Sequence, residues 1–140
     1  MLSCCPPASR LAAFDVGRPG QYVVDVDTGT GTVARGFALR GCLVIGIDPS
    51  PELLDQARRL DIESEVTADY SEATAEATGL PDASVEVVSA GQCWYWFDRP
   101  AAADEARRVL RLARAIVRRN FDWLALPGSV GEAGSAPALA

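Results

Sequence analysis

Two carboxylates and two glycines stand close together near the start of the chain, in the stretch YVVDVDTGTGT (residues 22–32). Asp25 and Asp27 close an apolar run, and Gly29 and Gly31 follow in a turn with little side-chain bulk. Glycines after a strand let the backbone approach a ligand closely, and an acid aimed at the ligand favours a cation. The pattern therefore predicts a small-molecule site for a ligand that carries positive charge.

The same turn also fits the dinucleotide fingerprint G-x-G-x-x-G/A. Gly29, Gly31 and Ala34 supply its small residues, and Asp48 ends the next apolar run as an acceptor for a ribose diol. An oxidoreductase that uses a nucleotide cofactor is therefore an alternative at this point. Asp25 disfavours it, because a strand that leads to a pyrophosphate gains nothing from an acid aimed at the ligand.

The composition is typical of one soluble globular domain. The chain has 140 residues, 49% of them hydrophobic and 23% charged, and its formal net charge is −6. This balance disfavours nucleic acid and anionic membranes as partners. No apolar run reaches the roughly 18 residues of a membrane span, and no signal-peptide pattern opens the chain, so we expect a cytoplasmic protein. With no histidine and no C-x-x-C spacing among the four cysteines, no metal site is predicted.

The elements that position the acids and glycines follow a strand, helix, strand pattern. YVVDV (22–26) is a β-branched run, TVARGFALR (32–40) permits a helix, and CLVIGID (42–48) is a second, nearly continuous apolar run. Continuous apolar strands are typical of a sheet that is covered on both faces. The sequence therefore predicts a βαβ unit of a parallel sheet.

Further elements are predicted along the chain. Ser50 and Pro51 mark the start of a second helix, and the last predicted helix follows Pro100. The third and fourth strands are assigned to SEVTADY and ASVEVVSA. Because LARAIVRRN contains neither glycine nor proline, we expect the last helix to continue toward Asn120. The fourth strand would then lie at or near an exposed sheet edge, which favours self-association through that edge.

VVDVDTGTGTVARGFALRGCLVIGIDPSPELLDQAR, followed by TAEATGLPDASVEVVSAGQCWYWFDRPAAADEARRVLR, resembles the class I S-adenosylmethionine-dependent methyltransferases that act on small molecules. The resemblance covers roughly residues 20–111. It implies an α/β fold, a Rossmann-like parallel sheet with helices on both faces, from which the C-terminal strands of the full fold would be missing. We expect a loose lead-in over residues 1–20, a cofactor-binding domain over 21–123 and a disordered tail over 124–140.

The resemblance also implies roles for particular residues. Asp25 would face the ammonium group of S-adenosylmethionine, Gly29 and Gly31 would bring backbone toward the ligand, and Asp48 would hold the ribose diol. The adenine would meet the stretch that contains Thr74 and Glu76, and the substrate pocket would include Gln92, Trp94 and Tyr95. No catalytic residue is assigned, because catalysis in this class is largely alignment of the acceptor with the methyl group.

Asp27 is one departure from the family pattern, which has a glycine at this position; the largest departure lies after Arg111, where the family has a turn that stops the helix. A carboxylate at position 27 crowds the turn and repels the carboxylate of the methionine moiety. Two hypotheses follow: a methyltransferase for a small-molecule acceptor, or a catalytically inactive methyltransferase-like domain that acts as a binding or interaction module.

Overall fold

The protein contains a five-stranded, fully parallel sheet. The structure, a computed structural model, describes residues 16–91 and 97–118. Within these residues the strand order is β3-β2-β1-β4-β5. The strands are β1 (Tyr22–Val26), β2 (Leu43–Asp48), β3 (Asp69–Glu72), β4 (Val85–Ala90) and β5 (Leu110–Arg118). From β1, the chain first adds β2 and β3 on one side and then β4 and β5 on the other. An open parallel sheet binds its ligand where the strand order reverses in this way, which here is the crevice between β1 and β4.

Three helices connect the strands, and they are α1 (Thr32–Leu39), α2 (Pro51–Glu63) and α3 (Arg99–Val109). Helix α2 begins as the sequence predicts, because Ser50 Oγ accepts a hydrogen bond from the Leu53 amide at 3.4 Å and proline occupies the first helical position. Helix α1 begins directly after Gly31, so the glycine turn leads straight into its N-terminus.

Each face of the sheet carries its own apolar core. One core lies where α3 packs, and it includes Val24, Val26, Ala102, Ala106 and Val109. The other lies where α1 packs, and it includes Val23, Val33, Phe37, Val44 and Val87. The predicted sheet with helices on both faces is thus confirmed. The alternation along β1 directs Val23 and Asp25 to the α1 face.

The third strand lies later in the chain than the sequence predicts. The run SEVTADY was expected to form it, but the strand is Asp69–Glu72, and only its first two residues belong to that run. Glu65 adopts a left-handed conformation with φ of 55° after the end of α2. The chain therefore turns through Val66 before it pairs with β2, starting at Asp69 beside Ile45.

The prediction that the last helix continues toward Asn120 is wrong. Helix α3 ends at Val109, and Leu110 already has an extended backbone. The chain from Leu110 to Arg118 forms β5, which pairs with β4 in parallel. Helix propensities among ordinary residues differ by less than about 1 kcal/mol each, whereas an unpaired edge of β4 would forgo a whole row of backbone hydrogen bonds. Strand β4 is therefore an inner strand, one position from the outermost strand that the structure describes.

Candidate cofactor site

Asp25 is a buried carboxyl group at the end of β1. The residue is only 2% exposed, and its Oδ2 accepts a hydrogen bond from Thr28 Oγ1 at 2.7 Å. Its Oδ1 is buried and has no hydrogen-bond partner among the described residues. Burial raises the pKa of Asp25 from 3.8 to about 7, and the charge of Asp27 adds to this increase, while the hydrogen bond from Thr28 opposes it.

A row of polar residues crosses the sheet at the level of Asp25. The strand register sets Tyr70 beside Gly46, Gly46 beside Asp25, and Asp25 beside Ser89. Tyr70 Oη and Ser89 Oγ are buried without a hydrogen-bond partner in the described part of the chain, as are Asp25 Oδ1 and Asp61 Oδ2. Buried polar groups in proteins are rarely left unpaired. Their concentration in one place marks this level of the sheet as a candidate ligand site.

The glycine turn above this row has a left-handed backbone at three positions. Asp27, Gly29 and Gly31 have φ angles of 53°, 58° and 79°. A Cβ atom on Gly31 would lie 2.5 Å from Tyr70 Oη, whereas a Cβ on Gly29 would meet nothing within 4 Å. Gly31 therefore allows close packing inside the protein. Gly29 faces open space, as the approach of a ligand to the backbone requires.

Asp27 occupies the left-handed position at the end of β1 that a glycine would fill without strain. Aspartate tolerates this conformation better than most residues do, so the turn retains its shape. The Asp27 side chain is half-buried. The turn thus places two carboxylates, one buried and one half-buried, within three residues of each other.

Asp48 connects the glycine turn to helix α2. Its Oδ2 accepts from the Gly29 amide at 2.9 Å and its Oδ1 accepts from the Ser50 amide at 2.8 Å, and the residue is 3% exposed. A carboxylate has about four acceptor positions, so these two bonds leave capacity for hydroxyl donors. The predicted site residues Asp25, Gly29 and Asp48 are therefore brought together at the C-terminal edge of the sheet.

Thr74 and Glu76 lie in the loop after β3, beyond the same edge of the sheet. Thr74 is exposed and forms an isolated bridge with Ala77. Glu76 is half-buried, and its Oε1 accepts from the amide of Asp98, the N-cap residue of α3, at 3.0 Å. Gln92, Trp94 and Tyr95, predicted for the substrate pocket, lie outside the described residues, as do the predicted tail and most of the predicted lead-in.

A buried ion pair behind the glycine turn was missed by the sequence analysis. Arg35 Nε lies 2.9 Å from Asp61 Oδ1, and the side chains are only 13% and 6% exposed. Arg35 also donates to the Thr30 carbonyl at 2.9 Å, so the pair holds the turn against α2. A signal was present, because Asp61 follows Leu54 and Ala57 at the helical spacing of a buried face.

Within residues 16–91 and 97–118, no group of three or more histidine, cysteine, aspartate or glutamate side chains could hold a metal ion. In the same ranges, no helix is long and apolar enough to cross a membrane.

Comparison with known proteins identifies the family of this chain. Residues 24–113 match the family described as "Methyltransferase domain". The chain therefore belongs to the class I S-adenosylmethionine-dependent methyltransferases, as the sequence predicted.

Individual relatives agree with this assignment. The chain is 32% identical over 117 residues to an uncharacterized methyltransferase of Mycobacterium tuberculosis, an alignment that covers 74% of this chain and 46% of the relative. It is 33% identical over 128 residues to the malonyl-[acyl-carrier protein] O-methyltransferase of Serratia marcescens, with 91% and 47% covered. The chain thus spans about half the length of these curated relatives.

Solved structures share the fold. The YcgJ protein of Bacillus subtilis superimposes with a TM-score of 0.69 and 26% identity, over 72% of this chain and 44% of that one. A methyltransferase from Methanococcus maripaludis, described as a putative S-adenosyl-L-methionine-dependent enzyme, superimposes with a TM-score of 0.72 at 13% identity, over 80% and 52%. At that low identity the second likeness concerns the fold alone.

Proposed function

We propose that this chain binds S-adenosylmethionine at the C-terminal edge of its sheet and is the cofactor-binding part, over residues 21–123, of a methyltransferase for a small-molecule acceptor. The observation that carries the proposal is the unpaired Oδ1 of Asp25. An anionic oxygen that is buried without a donor has a strong electrostatic preference for a cation. The ammonium group of the cofactor supplies such a cation.

The residues around Asp25 fit the remaining parts of the cofactor. Gly29 faces open space beside the carboxyl group, so its backbone is accessible to a ligand. Asp48 is held by two amides in a fixed orientation, and its remaining lone pairs suit the two hydroxyl groups of a ribose. Glu76, a half-buried acceptor in the next loop, suits an exocyclic amine. These assignments extend the family roles to the residues that match the motif in this chain.

The chemistry asked of this chain is mainly alignment. S-adenosylmethionine, when bound, would supply a methyl group that its sulfonium already activates for transfer to an acceptor. The chain holds the ligand by Asp25, Gly29 and Asp48 and orients it toward the acceptor. Since the sequence contains no histidine, a proton released by the acceptor would pass to a carboxylate, a tyrosine, a cysteine or water.

Calorimetric titration with S-adenosylhomocysteine tests this proposal. The native chain and an Asp104→Asn control are expected to bind the ligand. Asp104 is a matched control because its side chain is 77% exposed, on α3, away from the glycine turn. Asp25→Asn removes the charge with little change in size, and we expect it to weaken binding by at least about tenfold, the effect of one well-placed charge. Equal affinities of Asp25→Asn and the native chain would refute the assigned role.

A second candidate function rests on Asp27. The strained, charged residue at this turn favours a methyltransferase-like module that binds a ligand without turnover. The two functions separate in one assay, in which the chain binds S-adenosylhomocysteine and is then offered S-adenosylmethionine with candidate acceptors. Binding without methyl transfer to any acceptor, under conditions in which an active methyltransferase is the positive control, favours the second function.

A further inference from the structure

Gly46 leaves an open place in the middle of β2, beside Asp25, and two side chains fill it. A Cβ atom on Gly46 would lie 2.8 Å from both Cδ1 and Cε1 of Tyr70 and 2.9 Å from Cγ2 of Thr28. These distances are shorter than van der Waals contact, so the ring and the methyl group occupy the space that a side chain would take. A glycine inside a strand often marks such a close approach.

The methyl group over Gly46 fixes the direction of the Thr28 hydroxyl. Both groups are bonded to one Cβ atom of fixed handedness, so the position of the methyl group determines where the hydroxyl points. Thr28 is buried, and its Oγ1 donates to Asp25 Oδ2 at 2.7 Å. This bond engages Oδ2 and leaves Oδ1 as the oxygen without a partner in the described part of the chain. The packing over Gly46 thus decides which oxygen of Asp25 is open to a ligand.

The ring of Tyr70 holds the Thr28 methyl group from the side of β3. The strand register sets Tyr70 beside Gly46, and the ring and the methyl group lie within 2.9 Å of the same point. The ring therefore blocks rotation of the Thr28 side chain toward β3. Tyr70 Oη is buried and has no hydrogen-bond partner among the described residues, so packing rather than a hydrogen bond of its hydroxyl keeps the ring in place.

We propose that Tyr70 is a positioning residue for Asp25 and that it acts through Thr28. The ring limits the rotation of Thr28, and the Thr28 hydroxyl holds Asp25 Oδ2 so that Oδ1 is presented to the ammonium group of the ligand. The inference rests on the proposed function, and it identifies what orients the acid of that same site. The contact with the ligand is made by Asp25, and the role of Tyr70 is orientation.

Two ligands separate the orientation of Asp25 from the rest of the site. S-adenosylhomocysteine carries an ammonium group on its tail, whereas 5′-methylthioadenosine has the same nucleoside with a methyl thioether and no charged group. The ratio of their dissociation constants therefore measures the contribution of the amino-acid tail. A loss of stability alone lowers the folded fraction for both ligands alike and leaves this ratio unchanged.

The variants separate the ring from its hydroxyl and the methyl group from the Thr28 hydroxyl. Tyr70→Phe keeps the ring and Tyr70→Ala removes it, while Thr28→Ser keeps the hydroxyl and removes the methyl group. The double variant with Thr28→Ser and Tyr70→Ala tests whether one residue acts through the other. Val109→Ala is the control for lost stability, because Val109 is buried in the core on the other face of the sheet. Calorimetry gives the dissociation constants, and circular dichroism verifies that each protein is folded.

We expect the native chain to bind S-adenosylhomocysteine at least about tenfold more tightly than 5′-methylthioadenosine. Tyr70→Ala and Thr28→Ser should each reduce this preference by about threefold to tenfold, whereas Tyr70→Phe and Val109→Ala should keep it. The double variant should lose no more than Tyr70→Ala alone, because without the methyl group the ring has nothing to hold.

An unchanged preference in folded Tyr70→Ala, or losses that add in the double variant, would overturn the inference. Either result leaves the proposed function intact, because the native chain still binds S-adenosylhomocysteine. If Tyr70→Ala does not fold, Thr28→Ser carries the test, and an unchanged preference in that variant has the same meaning. If S-adenosylhomocysteine fails to bind the folded native chain, the proposed function itself fails.

Discussion

Replacing Asp25 with asparagine should stabilise the unliganded fold at neutral and alkaline pH. The carboxyl group is 2% exposed, its Oδ1 lacks a partner among the described residues, and its pKa is raised to about 7. An acid whose pKa is higher in the folded state than in the unfolded state binds its proton more tightly when folded. The contribution of Asp25 to the free energy of unfolding is therefore fully present below about pH 4, and it is lost as the pH rises from about 4 to about 7.

The magnitude follows from the two pKa values of Asp25. A pKa that rises from 3.8 to about 7 corresponds to roughly 4 kcal/mol between the protonated and ionised forms, which is an upper limit for the cost at pH 8. Asparagine retains an oxygen that can accept from Thr28 and places an amide where Oδ1 was. Burial of that amide costs about 1–2 kcal/mol if it finds no full set of partners. The net gain from Asp25→Asn at pH 8 is thus about 2 kcal/mol.

Urea unfolding at several pH values between 4.5 and 8.5 measures this gain. The native chain should lose stability relative to Asp25→Asn by up to about 1.4 kcal/mol for each pH unit, and the difference should level off above pH 7. Asp104→Asn provides the control for an exposed acid, and its stability should follow that of the native chain. A difference that stays constant between pH 5 and pH 8, or an asparagine variant less stable than the native chain at pH 8, would refute the reasoning.

Two other perturbations test contacts around the site. Arg35→Met leaves the buried Asp61 without its partner and should destabilise the fold by about 3–5 kcal/mol, whereas the double variant with Asp61→Leu should recover much of this loss in urea titrations. Additive losses would contradict that coupling. Glu105 accepts from Arg108 and from Thr78, and the Arg108 contacts are the main cause that lowers its pKa from 4.5 to about 2. Glu105→Gln should therefore cost about 1–2 kcal/mol at pH 7, after allowance for solvent screening, and this cost should vanish as the pH falls through 4.5 toward 2. A cost that persists at pH 2 would contradict the assignment.

The central βαβ unit could be predicted from the sequence because its signals are local. Residues 22–26 and 42–48 are nearly continuous apolar runs, and a sheet that is covered on both faces requires such runs. Ser50 and Pro51 marked the start of α2 correctly, since capping depends on residues only a few positions apart. The same strand, helix, strand assignment also predicts that Asp25, Gly29 and Asp48 lie at one edge, because the carboxyl ends of parallel strands lie on the same side of a sheet.

The misplaced elements depend on contacts between residues that are distant in the chain. The run after Arg111 has helix-forming residues, and only the presence of β4 beside it makes a strand preferable. Tyr70 gives no sign in the sequence that it packs under Gly31, since these residues meet only after β3 has paired with β2. Asp61 carried a spacing signal, but its partner Arg35 belongs to another helix.

At Asp25, the arrangement that favours ligand binding lowers the stability of the unliganded fold. An unpaired carboxylate that is buried costs free energy in the absence of a ligand, and a bound ammonium would remove that cost by restoring the ordinary pKa. Binding at pH 6 would therefore be accompanied by release of a proton from Asp25. Before binding, the charge of Asp27 adds to the cost of ionising Asp25. The carboxyl group that is proposed to hold the cofactor ammonium is thus also a source of instability in the fold without ligand at neutral pH.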